Sequence, residues 1–171
     1  MNNYVVIDLE TTGFSPAQND IVELSAVRFA EFEPTDMFST LVRPARGINY
    51  RASLVNGITE EMVEDAPLIG EVADRFLEFV KDDRAIVGQN IQFDLAFLRC
   101  NGIHLSGKRY EIHDTMRMAQ RHLCRGEVKN HKLGTLCGYY GIKNHDAHRG
   151  VGDCIATGKL FAELTKDMGS A

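Results

Sequence analysis

Apolar positions along this chain follow two periods. At the start, Tyr4-Val5-Val6-Ile7 is a continuous apolar run that meets an acidic pair, Asp8 and Glu10, and then Thr11-Thr12-Gly13. Such a run reads as a buried strand. Ile21 to Phe32 is rich in apolar and β-compatible residues, and Met37 to Val42 is a second run closed by Pro44. The two predict a strand pair beside the first strand. Thr59, followed by Glu60, Glu61 and Met62, predicts a short capped helix. Val72, Phe76, Leu77 and Val80 recur at helical spacing. Ala85-Ile86-Val87-Gly88 predicts a short buried strand, and Phe93 to Cys100 a helix stopped by Asn101-Gly102. Further helices are expected near 115–123 and 131–140, with Gly134 weakening the second. A last helix from near Gly150 places Asp153, Thr157, Leu160, Phe161 and Leu164 on one face, and Thr165 to Ala171 is expected to fray. Strands come first and helices flank them, which predicts an α/β or α+β fold around a mixed central sheet.

Composition narrows this picture little. A chain of 171 residues, 44% hydrophobic and 25% charged, fits one domain with a sizeable core. The net charge of −5 lacks the basic footprint of a protein that coats nucleic acid, yet permits a nucleic-acid enzyme if bound metals supply local positive charge. No apolar run approaches the roughly 20 residues that span a bilayer. No basic segment with a following apolar one begins the chain, so neither membrane nor export is expected. Cys100, Cys124, Cys137 and Cys154 form no C-x-x-C pair, and reduced, mostly buried thiols in a cytoplasmic protein are the simplest reading.

The acidic residues change the picture more. Side chains two apart on a strand share a face, so Asp8 and Glu10 point the same way where a core strand ends. Two adjacent carboxylates that leave water repel each other and need compensation, for which a divalent cation is the simplest candidate. Asp94 follows the strand at 85–88, in Gly88-Gln89-Asn90-Ile91-Gln92-Phe93-Asp94. Asp153 lies early in the last helix, on its apolar face, in His148-Arg149-Gly150-Val151-Gly152-Asp153. Taken singly, each is explained by a solvated strand end, a helix-dipole charge or a surface histidine; the combination is what points to a site.

These segments resemble the DEDDh 3′–5′ exonuclease family, which includes polymerase proofreading exonucleases and ribonuclease T. The first motif is matched by Asp8-Leu9-Glu10-Thr11-Thr12-Gly13, the second by Asn90-Ile91-Gln92-Phe93-Asp94, and the third by His148 and Asp153. Ile21-Val22-Glu23-Leu24, Val55-Asn56-Gly57-Ile58-Thr59, Asp114-Thr115 and Lys132-Leu133-Gly134-Thr135-Leu136 add support, in family order from about residue 4 to 166.

The resemblance implies a ribonuclease H-like fold and a single exonuclease domain over 1–171. It implies two divalent ions, Mg²⁺ or Mn²⁺, held by Asp8, Glu10, Asp94 and Asp153, with Asp8 between them. Hard oxygen ligands suit those ions. His148 would be the general base, on a loop loosened by Gly150 and Gly152. Thr11 and Thr12 would receive the 3′-terminal nucleotide, flanked by Phe14 and Phe93. Asn56 and Gln89 stand where the family often has histidines, so they are expected near substrate as uncharged amides. Single-stranded DNA 3′ ends are the leading substrate, RNA trimming is the runner-up, and a weakly catalytic polymerase-associated binding module is the rival of another class. A DNA polymerase is the candidate partner. Finally, Lys108, Arg109, Arg117, Arg121, Arg125, Lys129 and Lys132 make 108–132 the one basic stretch of the chain, either a track for a nucleic-acid backbone or a solvated face.

Overall fold

The computed structural model describes residues 2–105, 109–124, 126–144 and 149–169. The chain opens with β1 (Tyr4–Thr11), β2 (Ile21–Ala30) and β3 (Glu33–Leu41), followed by the helices α1 (Tyr50–Asn56), α2 (Glu60–Val63) and α3 (Ile69–Val80). Then come β4 (Ala85–Gly88), α4 (Gln92–Cys100), β5 (Glu111–Asp114), α5 (Thr115–His122), α6 (Leu133–Tyr139) and α7 (Gly150–Gly169). The five strands form one sheet in the order β3-β2-β1-β4-β5. β1 to β3 run antiparallel, whereas β4 lies parallel to both β1 and β5, so the sheet is mixed as expected.

The period of two along β1 decides what each face of the sheet carries. Val5, Ile7 and Leu9 join Phe76 of α3 and Phe97 and Leu98 of α4 in one core cluster. Tyr4 and Val6 pack with Phe29 of β2 and with Cys154 and Phe161 of α7 in another. Asp8 and Glu10 continue the Tyr4–Val6 parity and therefore face the side covered by α7. That helix lies close to the sheet. A Cβ on Gly158 would stand 2.2 Å from the Phe29 ring, and Tyr4 Oη donates to the Gly158 carbonyl at 2.9 Å.

β1 and β4 pair only at Val5–Ile86 and Val6–Val87. Beyond Val6 the parallel ladder ends, and the sheet parts where the acidic residues begin. A register shift at Glu10/Thr11 then bends the end of β1 relative to β2.

Several expectations need correction. The hairpin differs from the apolar runs: β2 stops at Ala30, because Glu31 and Phe32, at φ 51° and 68°, make a tight turn, and the exposed residues 33–36 extend the edge strand ahead of Met37. Residues 50–56 and 111–114 carried no prediction, yet they form α1 and β5. Thr59 precedes α2 without a side-chain cap; Glu60 Oε1 instead accepts from the Ile48 N–H at 2.5 Å. Residues 165–169 do not fray: α7 runs to Gly169, and Asp167 accepts from Tyr140 Oη at 3.0 Å. Only Cys137 and Cys154 are buried, whereas Cys100 and Cys124 are exposed. Among the described residues, no helix is long and apolar enough to cross a membrane.

Candidate active site

Three of the predicted carboxylates converge. Asp8 and Glu10 come from the end of β1 and Asp153 from the first turn of α7, and each offers an oxygen within 4.8 Å of the others. Asp94, in the first turn of α4, approaches from the side of β4. Its Oδ1 accepts from the Leu9 N–H at 3.1 Å, a bond that replaces the missing ladder beyond Val6. Asp94 stands outside the close trio, yet its charge acts on Asp8 more strongly than any other neighbour's.

Burial and mutual repulsion dominate the electrostatics of the cluster. Burial raises the Asp8 carboxyl well above the usual carboxylate range, and Asp94, Glu10, Asp153 and Glu23 push it further. Glu10 rises to about 7, through burial first and then Asp153 and Glu23, against a hydrogen bond from Asn56 and the charge of Arg149. Burial also raises Asp94 to about 8, despite its backbone hydrogen bonds. Carboxyls whose charged forms are disfavoured in the absence of a cation form a site that a hard divalent ion would satisfy. The donor set, all oxygen and converging from β1, α4 and α7, fits such an ion.

A cavity of about 490 Å³ adjoins Glu10. Thr11, Thr12 and Gly13 form one wall, Phe93 another, and Ala52, Val55 and Asn56 of α1 close it. Phe14 stands at its mouth, 90% exposed. Phe93 serves two roles, packing on Phe97 at 4.9 Å and against the core while it lines the cavity. The two threonines shape the turn with their side chains. Thr11 Oγ1 donates to the Gly13 carbonyl at 2.7 Å, and Thr12 Oγ1 accepts from the Asp20 N–H at 3.0 Å.

The two amides sit differently from each other. Asn56 is buried, and its Oδ1 accepts from the Ile58 N–H at 3.0 Å. Its Nδ2 reaches the Thr11 carbonyl at 3.5 Å, so it braces the end of β1 and the Glu10 carboxylate. Gln89 lies away from this cavity, with Nε2 donating to the His131 carbonyl at 2.7 Å and Oε1 accepting from Thr115 Oγ1 at 2.6 Å. His148 lies outside the described residues, as do Lys108 and Arg125 of the basic stretch. Gly150 and Gly152, expected to loosen a loop, are helical instead. Gly150 is required by close packing, since a Cβ there would stand 2.3 Å from Ser25 Oγ.

The exonuclease family model (RNase_T) matches residues 5–161, nearly the whole chain. The chain belongs to the DEDDh 3′–5′ exonuclease family. Its similarity is spread over its length. It is 37% identical over 167 residues to a DNA polymerase III PolC-type of Caldanaerobacter subterraneus subsp. tengcongensis, covering 96% of this chain and 12% of that protein. To the Bacillus subtilis PolC-type polymerase it is 34% identical over 167 residues, covering 96% of this chain and 11% of the other. The chain thus spans about an eighth of the curated relatives it matches. Among solved structures, Exonuclease X in complex with 5′ overhanging duplex DNA superposes with a TM-score of 0.75 at 27% identity, over 97% of this chain and 93% of that one. The nuclease domain of 3′hExo bound to rAMP superposes with a TM-score of 0.79 at 16% identity, over 97% and 92% of the two chains.

Two neighbours of the acidic trio escaped the sequence reading as site residues. Glu23, only 4% exposed, lies directly across the β1–β2 ladder from Glu10. Its carboxylate accepts from the Gly150 N–H and from Ser39 Oγ, both at 3.3 Å, and lies 3.8 Å from Arg149 Nε. It thereby ties the start of α7 to β2. Asn144 donates from Nδ2 to Asp153 Oδ1 at 2.6 Å. Burial inside an apolar strand was a visible sign for Glu23, whereas Asn144 gives none in sequence.

Proposed function

We propose that this chain hydrolyses single-stranded DNA from its 3′ end and releases nucleoside 5′-monophosphates. The observation that carries this reading is the convergence of Asp8, Glu10 and Asp153 beside a cavity of about 490 Å³ bounded by the first-motif turn and Phe93. A cavity of that size takes a single nucleotide at the end of a strand. Sequence and structural likeness to Exonuclease X, solved with DNA, supports DNA over RNA.

Asp8, Glu10, Asp94 and Asp153 would hold two ions of the Mg²⁺ or Mn²⁺ class. Such ions, when bound, neutralise charge on the phosphoryl group and acidify an attacking water. The protein's part is positional. Leu9 N–H holds Asp94, Asn144 holds Asp153 and Asn56 braces Glu10, so the ligands are fixed before substrate arrives. The backbone at Thr11 to Gly13 and the Phe93 ring would seat the terminal nucleotide. His148, from its place in the third motif, would take the proton from the attacking water, a task an imidazole can perform at neutral pH. A polymerase partner is supported by the PolC-type relatives and is checked by co-purification with the host replicative polymerase.

The test is degradation of 5′-labelled DNA and RNA oligomers with Mg²⁺ or Mn²⁺, and with chelator. A ladder shortening from the 3′ end, dependent on metal and faster on DNA, is expected. Undiminished degradation by the Asp8→Ala protein would sink the mechanism, internal cleavage alone would sink the exonuclease assignment, and preference for RNA would reverse the substrate.

A further inference from the structure

The pair Asp114-Thr115, where β5 gives way to α5, lies beside the turn that leads from β4 into α4. Gly88, the last residue of β4, pairs with Asp114. One carboxylate oxygen serves both sides of this junction. Asp114 Oδ1 accepts from the Met116 and Arg117 N–H groups at 3.0 and 3.4 Å, which caps α5, and from the Asn90 N–H at 3.1 Å. Thr115, fully buried, donates from Oγ1 to Gln89 Oε1 at 2.6 Å and lies 3.3 Å from the Gly88 carbonyl. Gln89 Nε2 in turn donates to the His131 carbonyl at 2.7 Å. Gly88, Gln89 and Asn90 are thereby fastened, one after another, to the start of α5.

The turn so held is tight. Asn90 has φ 57°, a left-handed conformation that a residue with a side chain keeps only where its surroundings impose it. A Cβ on Gly88 would stand 2.8 Å from the Ile91 side chain. The Asn90 carbonyl accepts from the Phe93 N–H at 3.0 Å, and α4 begins there. Asp94 follows one residue later, 5% exposed, with Oδ1 on the Leu9 N–H at 3.1 Å. Where α4 starts therefore decides how far the Asp94 carboxylate reaches toward β1. Among the described residues, Asp114 Oδ2 has no hydrogen bond and faces Arg117 Nε at 3.7 Å, so the hydrogen bonds of this carboxylate all come from the backbone of the junction.

We infer that Asp114 is a positioning residue for Asp94, acting through the Asn90 N–H and backed by Thr115, and that it sets the reach of Asp94 toward the Asp8 cluster. The inference rests on the reading of Asp94 as a metal ligand. Asp114 also acts on Asp94 in the opposite sense. Burial raises the Asp94 carboxyl first, and the charges of Glu10 and Asp114 add to the rise. Asp114→Asn removes that charge and keeps an oxygen for the three N–H groups, whereas Asp114→Ala removes both. The two variants thus separate position from charge.

The experiment has two readouts. Calorimetric titration of the metal-free protein with Mn²⁺ compares the wild type, Asp114→Asn and Asp114→Ala, each also in an Asp94→Ala background. Asp114→Ala should weaken Mn²⁺ binding roughly tenfold, as loss of a group that orients a ligand does, and should change nothing once Asp94 is gone. Asp114→Asn should bind at least as tightly as the wild type. Amide hydrogen exchange in chelator is the second readout, and Asp114→Ala should speed exchange at Leu9 selectively among the β1 amides. Thr115→Val keeps the side-chain shape and removes the donor. It should move both readouts in the same direction by less, and it carries the test if Asp114→Ala fails to fold. Equal loss of Mn²⁺ affinity with and without Asp94 would overturn the inference, as would an Asp114→Asn protein as weak as Asp114→Ala. Faster exchange shared by all β1 amides would mark general loosening and overturn it too. Equal Mn²⁺ binding by the wild type and Asp94→Ala would refute Asp94 as a ligand instead, and exchange at Leu9 would then decide the clamp alone.

Discussion

Replacing Glu10 by Gln should stabilise the metal-free protein while abolishing the proposed nuclease activity. The substitution removes a charge and keeps volume and acceptor, so the Asn56 hydrogen bond survives. Glu10 has its carboxyl raised from 4.5 to about 7. At 1.36 kcal/mol per unit, that makes ionised Glu10 cost the folded state about 3 kcal/mol. The sign follows from the raised value. Below pH 4.5 the group is protonated in both folded and unfolded states and costs nothing. As pH rises through 7 the unfolded state ionises first, and the folded state loses stability until the whole cost is present. The glutamine escapes it at every pH. For a chain of this size, about 3 kcal/mol corresponds to a gain of roughly 6–12 °C in Tm. Scanning calorimetry in chelator at pH 8 should show that gain, and the same scan near pH 4 should show almost none. Adding Mg²⁺ at pH 8 should stabilise the wild type more than the variant, because the ion binds the ionised cluster. A Tm gain equal at both pH values, or a loss at pH 8, would refute the claim that burial and mutual repulsion of charge dominate this site.

Other expectations can be checked with the same preparations. Asp8→Ala and Asp153→Ala should remove metal-dependent degradation of labelled oligonucleotides while circular dichroism stays native. Gly158→Ala should destabilise by about 1–3 kcal/mol in urea titration, because its Cβ would meet the Phe29 ring at 2.2 Å. Asn56→Ala should cost about 1–3 kcal/mol by leaving the Ile58 N–H unpaired. It should also raise the Mg²⁺ concentration at half-maximal activity, since Glu10 loses its brace. An unchanged Mg²⁺ requirement would confine Asn56 to a structural role.

The acidic site was legible in sequence because strand periodicity alone puts Asp8 and Glu10 on one face, and the face of the last helix brings Asp153 to it. The surrounding walls were not. α1 presents Tyr50, Leu54 and Val55 to solvent, so its apolar residues do not mark a buried face. It is defined by its ends instead, by the Asn49 side chain accepting from the Arg51 N–H at 2.9 Å and by Gly57 at φ 70°. β5 is an edge strand of four residues, Glu-Ile-His-Asp, whose pairing with β4 is a tertiary fact. The amides that replace family histidines drew attention as substrate contacts. In the fold Asn56 braces Glu10, and Gln89 ties two segments together, because amides can donate and accept at once.

Asp94 has a further consequence, for how the site should be dissected. Its Oδ1 completes a backbone ladder that the short β4 leaves open, at the Leu9 N–H. Truncating it to alanine therefore inflicts two injuries together, removing a ligand and stranding a buried amide proton. The asparagine variant keeps the acceptor and removes only the charge. The difference between Asp94→Asn and Asp94→Ala separates architecture from chemistry at this position, and lengthening β4 by one pairing residue would make the carboxylate redundant as a surrogate strand.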